Sequence, residues 1–132
     1  MNVFLATAKG DDPARVEGLK AELAAQLPDA TIVDGVTDWQ ENVGRCGGWN
    51  GWAEDVATGR TLGGRPRFDA IVCPQTAVGR ATYQIVGLAL DAGKPVIYLR
   101  RDGIALRVIG IVCDDPDSWK AGWSLVIEPG TR

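Results

Sequence analysis

The sequence predicts a single α/β domain over residues 1–132. We expect a mainly parallel sheet of about five strands, flanked by helices, because short apolar runs alternate with longer segments of helical periodicity. That alternation is typical of β-α-β units, whose strands are parallel. The length of 132 residues suits one domain, and a hydrophobic fraction of 45% is enough to bury a core.

The first β-α-β unit lies in the N-terminal part of the chain. Residues 2–6 are apolar and predict a strand. Asp12 followed by Pro13 predicts a helix start, with the aspartate as N-cap and the proline at the first helical position. Residues 30–33 predict the second strand. The helix between them has one apolar face, formed at spacings of three and four by Val16, Leu19, Leu23 and Leu27.

Residues 68–101 predict a second unit, around which the chain is organised. The apolar runs at 70–73 and 95–99 suit buried strands, and residues 81–92 suit a buried helix that ends at Gly93. Ligands of open α/β sheets bind beyond the carboxyl ends of the strands. The loop between the first of these strands and the helix is therefore an expected wall of any site.

The segment between the two units is rich in glycine and holds three of the five tryptophans, Trp39, Trp49 and Trp52. Residues 49–58 predict a short helix with Gly59 as its stop, and 59–67 predict a flexible connection. The tryptophans either pack this helix onto the sheet or face a ligand.

The C-terminal part adds the last predicted strands, at residues 104–113 and 124–127. Between them, residues 114–118 (DDPDS) favour a capped turn over a cation site, since they lack the alternation of a calcium-binding loop. The whole chain then has about five or six strands and three helices.

Composition excludes several functions. A net charge of −3 gives no reason to expect a duplex nucleic acid as partner. No apolar run is long enough for a transmembrane span, and the N-terminus lacks a signal-peptide pattern, so we expect no membrane partner. Three separated cysteines indicate reduced thiols in a cytoplasmic protein. The absence of histidine excludes Ser-His-Asp and Cys-His catalysis and the usual zinc sites, and no metal is expected.

Three loops are expected to meet at the carboxyl edge of the sheet, after each of the first three strands. Gly79 and Arg80 begin a helix there, and free N–H groups at a helix start favour an anion. Neither GxGxxG nor a P-loop sequence occurs, so the dinucleotide and Walker motifs are absent. The candidate ligand-binding residues are Thr7, Lys9, Gly10, Asp11, Asp34, Trp39, Gln75, Gly79, Arg80, Tyr83 and Gln84.

Two segments resemble the nucleoside 2-deoxyribosyltransferase family and its nucleotide N-glycosidase relatives. NVFLATAKGDDPARVEGLKAEL resembles that family's first strand, loop and helix, and FDAIVCPQTAVGRATYQIVGLALDAGKPVIYLRR resembles its signature. The resemblance implies a Rossmann-like domain that binds a nucleoside or nucleotide, with no cofactor. It also implies a possible homo-oligomer, assembled through the helix of the signature.

In that family a glutamate on this helix attacks the anomeric carbon of the substrate. Here the matching positions hold Gln84 or Ile85, and neither side chain is a carboxylate. The catalytic residue therefore has no match in this sequence.

Three functions remain open at this stage. The first is a sensor or sequestering protein that binds a nucleotide-derived ligand without the family's reaction. The second is an N-glycosidase or deoxyribosyltransferase with a relocated carboxylate, and the third is a structural or protein-interaction module. For the second, the candidate carboxylates are Asp11, Asp34, Glu41, Glu54 and Asp55.

Overall fold

A computed structural model describes residues 1–8, 10–59, 67–113 and 122–129. Within these ranges the fold is α/β. Its strands are β1 (Asn2–Leu5), β2 (Thr31–Asp34), β3 (Ala70–Cys73), β4 (Ala77–Val78), β5 (Val96–Leu99), β6 (Ala105–Cys113) and β7 (Trp123–Ile127). Its helices are α1 (Pro13–Gln26), α2 (Gly35–Asn42), α3 (Trp49–Thr58) and α4 (Arg80–Asp91).

The strands form one seven-stranded sheet in the order β2-β1-β3-β5-β6-β7-β4. Its first four strands are parallel, and β1 pairs with β2 on one side and β3 on the other. Their carboxyl ends therefore lie at one edge of the sheet. The loops after β1, β2 and β3 meet at this edge.

The other half of the sheet is antiparallel. β6 pairs with β5 and β7, and the register shifts between Val108 and Gly110 where the sheet curls. β4, a two-residue strand in the loop after β3, pairs with β7. The α/β class is confirmed, but the sheet has more strands than expected and is mixed rather than mainly parallel, because its last three strands run antiparallel to their neighbours.

The parallel half of the sheet buries side chains on both faces. Val3 and Leu5 of β1 pack with Leu23 of α1, whereas Phe4 points to the opposite face. This alternation follows from the two-residue period of a strand. On the second face, Trp52 of α3 and Ile85 of α4 belong to the same buried cluster as Phe4.

Most predicted elements are confirmed to within a residue or two at each end, and α3 has the predicted bounds. Gly59 and Gly93 follow α3 and α4 at φ 74°, a left-handed conformation that favours glycine and ends both helices as expected. Residues 35–42 were not predicted to be helical, but they form α2. The predicted turn at 114–118 lies outside the described residues, as does most of the connection at 59–67. None of the described helices is long and apolar enough to span a membrane.

Candidate functional site

A cleft of about 310 Å³ opens at the carboxyl edge of the sheet, between the end of β1 and the first turn of α4. This volume lies within the range of small-molecule sites, about 300–1,000 Å³. α2 and α3 form its remaining walls. The lining residues are mostly apolar and aromatic: Phe4, Thr7, Ala8, Gly35, Val36, Trp39, Trp49, Trp52, Gly79, Arg80, Ala81, Thr82 and Ile85.

Three tryptophans give the cleft its aromatic wall. Trp39 and Trp49 stack with ring centroids 5.0 Å apart and planes inclined by 27°. Trp49 meets Trp52 edge to face, with centroids 5.8 Å apart. Trp52 is buried, but Trp49 remains 52% exposed, so the three rings together extend from the interior to the surface. A planar apolar ligand would find both a buried ring and an accessible one.

Trp39 also carries a polar group without a partner. Its Nε1–H is buried and forms no hydrogen bond within the described part of the chain. A buried donor of this kind costs about 1–3 kcal/mol when it is left unsatisfied. The wall of the cleft therefore contains a donor for which an acceptor would be favourable.

α4 begins at the cleft without a side-chain cap. Gly79 occupies its N-cap position, and no described side chain hydrogen-bonds the cap. α1 and α2, in contrast, are capped by the carboxylates of Asp12 and Asp34. The first intrahelical bond runs from the N–H of Tyr83 to the carbonyl of Gly79 at 2.9 Å. The N–H groups of the preceding residues lack intrahelical acceptors, and Arg80 adds a positive charge beside them.

A small hollow of about 60 Å³ adjoins the cleft and contains Asp11 and Gln75 in its lining. Asp11 Oδ2 accepts a hydrogen bond from the backbone N–H of Ala8 at 2.8 Å, which folds the loop after β1 onto itself. Thr7 lines both spaces and its Oγ1 accepts a hydrogen bond from Val36 N at 3.3 Å. The loops after β1 and β3 thus meet as expected.

Asp34 lies at the same edge of the sheet, but its carboxylate caps the start of α2. Its Oδ2 accepts the N–H of Thr37 at 3.0 Å, and its Oδ1 accepts the Thr37 hydroxyl at 3.0 Å and Lys20 Nζ at 3.4 Å. Burial alone would raise the pKa of Asp34, but these hydrogen bonds and the Lys20 charge together lower it below 3.8. The side chain acts as a charged N-cap and does not line the cleft.

A buried ion-pair network lies beneath the aromatic wall. Asp38 accepts hydrogen bonds from Arg67 Nη1 and Nη2 at 2.9 and 3.0 Å, and from Trp52 Nε1 at 2.8 Å. Arg67 Nε donates to Asp55, which is fully buried. Burial would lower the pKa of Arg67, but the hydrogen bonds and charges of both carboxylates outweigh it and raise that pKa. The network fixes Trp52 at the back of the cleft.

The remaining predicted site residues lie apart from the cleft or outside the described ranges. The ring of Tyr83 packs against Trp123 of β7, with centroids 5.0 Å apart. Gln84 donates from Nε2 to Asn50 Oδ1 at 3.0 Å, which connects α4 to α3 just beyond the mouth. Gly10 is exposed in the loop after β1, and Lys9 lies outside the described residues.

Of the five candidate carboxylates, only Asp11 lines the cleft or its adjoining hollow. Asp34 caps α2 and Asp55 pairs with Arg67, as described above. Glu41 and Glu54 are exposed on α2 and α3. The described part of the chain also contains no cluster of three or more histidine, cysteine, aspartate or glutamate side chains suited to a metal ion.

Several lining residues were missed from the sequence. Val36 joins the wall because α2 replaces the expected loop, and the signal for this helix was Asp34 as N-cap with Thr37 three residues later. The sequence leaves Trp49 open between packing on the sheet and facing a ligand, and Trp49 is not among the predicted site residues. Thr82 lies in the first turn of α4, two residues after Arg80. The expectation that the start of this helix faces a ligand could have included it.

Comparison of the sequence with protein-family models, and of the chain with curated proteins and solved structures, gives no significant match. The candidate function therefore depends on the geometry and chemistry of the cleft.

Proposed function

We propose that the cleft binds a nucleoside or a nucleotide-derived ligand, and that the protein senses or sequesters it. The observation that carries this proposal is the stacked pair of Trp39 and Trp49 beside the uncapped first turn of α4. An aromatic surface suits the base of a nucleotide, and an anion-favouring helix start suits its phosphate. Here both border one cleft.

The aromatic wall supports a planar base as the buried part of the ligand. Stacking of a base on an aromatic side chain contributes about 1–3 kcal/mol, and it is tolerant of base identity. The Nε1–H of Trp39 has no partner among the described residues, and because it is buried it can donate to a base nitrogen or carbonyl oxygen only after the indole ring moves. Because Trp49 is half exposed, a base can reach this wall from solvent.

The start of α4 supports a phosphate as the second part. The N–H groups of its first turn lack intrahelical acceptors, and Arg80 and Thr82 line the same cleft. The parallel strands β2-β1-β3-β5 place this helix start beyond their carboxyl ends. Rossmann-like domains bind nucleotides at this position, beyond the carboxyl ends of parallel strands. The position of the cleft therefore supports the assignment of this α/β fold as Rossmann-like.

A second candidate function is cleavage of an N-glycosidic bond by a relocated carboxylate. Asp11 favours it, because this carboxylate lies in the hollow that adjoins the cleft. Its Oδ2 accepts one hydrogen bond from Ala8 N, which leaves Oδ1 able to approach a sugar. In this reaction the carboxylate attacks the anomeric carbon, the base leaves with the bonding electrons, and water releases the sugar.

One experiment separates these functions from an interaction module. The purified chain is screened by thermal shift against nucleosides, nucleoside monophosphates, cyclic nucleotides and NAD-derived nucleotides, and free base is followed by chromatography in the same wells. A ligand at a hundred times its Kd stabilises the fold by about 2.7 kcal/mol. Stabilisation without base release supports the binding protein.

Base release that is lost in Asp11→Asn supports the second candidate. Asp91→Asn, which changes an exposed carboxylate at the end of α4, serves as its control. An absence of stabilisation by every ligand would exclude both functions and favour the interaction module.

A further inference from the structure

A basic groove of about 580 Å³ lies beyond the carboxyl end of β5. Arg100 and Arg101 follow this strand directly, and Arg15 reaches the groove from α1. Tyr98 and Gln75 also line the groove. None of the three arginines was part of the predicted site.

The groove carries an excess of positive charge. Arg100 pairs with Asp102 at 2.7 Å, which neutralises one guanidinium. Arg15 and Arg101 form no ion pair or side-chain hydrogen bond within the described part of the chain. Two guanidinium groups are therefore available to an anion, and guanidinium geometry suits phosphate well.

The groove and the tryptophan cleft are parts of one continuous surface. The Asp11 hollow shares Thr7, Ala8, Gly79 and Thr82 with the cleft. On its other side it shares Pro74, Gln75 and Ala77 with the basic groove. The loop from Pro74 to Gly79 runs along all three spaces, and its pairing with β7 holds it in place.

The chemistry changes in a fixed order along this surface. The tryptophans line the cleft, and Arg15 and Arg101 line the basic groove. The start of α4 borders both the cleft and the Asp11 hollow, and this hollow lies between the helix start and the arginines. Two anion-favouring regions are thus separated by a carboxylate that accepts hydrogen bonds. A sugar, whose hydroxyl groups donate to carboxylates, fits the position between them.

We propose that the ligand is a nucleoside with two phosphoryl groups on opposite sides of its sugar, one at the start of α4 and one in the arginine groove. This inference rests on the proposed function. A free nucleoside 3′,5′-bisphosphate and a linear phosphorylated dinucleotide both have this chemistry. A polyphosphate chain does not, because it would place its charge against the carboxylate of Asp11.

The test compares ligands that differ only in where the second phosphate lies. Calorimetric titration measures the Kd of nucleosides, 5′-monophosphates, 5′-diphosphates and 3′,5′-bisphosphates of adenine, guanine, cytosine and uracil. For at least one base, the bisphosphate should bind about tenfold more tightly than the monophosphate, the size of one charge-assisted hydrogen bond. The diphosphate of that base should bind more weakly than the bisphosphate.

The Kd of a phosphorylated linear dinucleotide of the same base then shows whether the ligand is a free bisphosphate or a dinucleotide. If it binds more tightly than the bisphosphate, the natural ligand is a dinucleotide, and if not, it is the free bisphosphate. The second phosphate site is refuted if bisphosphates bind no more tightly than monophosphates, or if diphosphates bind more tightly than bisphosphates. In either case the proposal that the cleft binds a nucleotide still stands. If no nucleoside or nucleotide binds at all, the proposed function fails as well.

Charge removal in the groove gives an independent measurement. Arg15→Ala combined with Arg101→Ala should weaken the bisphosphate about tenfold and leave the monophosphate unchanged. Arg107→Ala is the matched control, because Arg107 is exposed on β6 and does not line the groove. Equal weakening by the control would refute a specific site, and so would an unchanged affinity in the double variant.

Discussion

The indole Nε1 of Trp52 donates a hydrogen bond of 2.8 Å to the carboxylate of Asp38. Trp52 lines the cleft, and Asp38 also accepts hydrogen bonds from both terminal nitrogens of Arg67. This contact connects the candidate site to a buried ion pair that spans 29 residues of sequence. The position of the aromatic wall therefore depends on a salt bridge whose two residues do not line the cleft.

Removal of the Asp38 charge should destabilise the fold strongly. In Asp38→Asn, Arg67 keeps its ion pair with Asp55 but loses its charged bidentate partner, and a charge-assisted hydrogen bond contributes about 1.5–3 kcal/mol. Urea denaturation measures this loss. Asp102→Asn is the control, because its pair with Arg100 is about half exposed and should contribute under about 1 kcal/mol. Equal losses in the two variants would show that the buried network contributes no special stability.

Gly51 permits a close approach between α3 and the preceding loop. A Cβ atom at this position would overlap the carbonyl oxygen of Cys46. We expect Gly51→Ala to lower the free energy of unfolding by about 1–3 kcal/mol, the usual effect of overpacking. Gly87→Ala is the matched helical control, since a Cβ there meets no atom within 4 Å and should be neutral or stabilising. A neutral Gly51→Ala would contradict the packing of α3 described above.

The local part of this fold could be predicted from the sequence. α1 has a clear start at Asp12 and Pro13, α4 has strong apolar periodicity, and β1, β3 and β5 are short apolar runs between polar turns. α2 was missed because Asp34 and Gly35 also suit a turn, and only the side-chain cap on Thr37 decides between the two. β4 was missed because its two residues form a strand only through pairing with β7.

The site was predictable mainly where it follows from strand ends. Thr7, Asp11, Gln75 and Gly79 line the cleft or its hollow because each lies beyond the carboxyl end of a parallel strand. The pairing of Asp38 with Arg67 depends on how α2 approaches a distant segment, and no local pattern encodes it. The contact of Tyr83 with Trp123 likewise needs the curled antiparallel strands, which the sequence did not reveal.

Asp34 should make stability depend on pH in the acid range. Its pKa in the folded state lies below the ordinary 3.8, so the folded state favours the carboxylate. In Asp34→Asn the amide oxygen still caps α2 but the charge is lost, which should cost about 0.3–1 kcal/mol near neutral pH. The difference between wild type and variant should stay constant from pH 7 to about 5 and shrink below pH 3.8. Denaturation at several pH values measures it, and a difference that grows in acid would have the wrong sign.

The cysteines should differ in reactivity according to burial. Burial raises the pKa of Cys73 to about 12, and it raises the pKa of Cys46, so neither thiol forms much thiolate at about pH 8. Cys113 is only half buried. A disulfide reagent should therefore label Cys113 first and the other two only after denaturant is added. Peptide mass spectrometry identifies the labelled site, and rapid labelling of Cys73 in the native protein would contradict its buried position in β3.

Arg80 should contribute to phosphate binding and not to base binding. It lines the cleft beside the uncapped first turn of α4, where its charge adds to that of the helix dipole. If the cleft binds a nucleotide, Arg80→Ala should weaken a 5′-monophosphate by about 1.5–3 kcal/mol, the loss of a charged hydrogen bond. The affinity for the matching nucleoside should not change, and this comparison controls for damage to the aromatic wall. Calorimetry measures both values. An equal loss for both ligands would place Arg80 at the base, and no loss for either would remove it from the site.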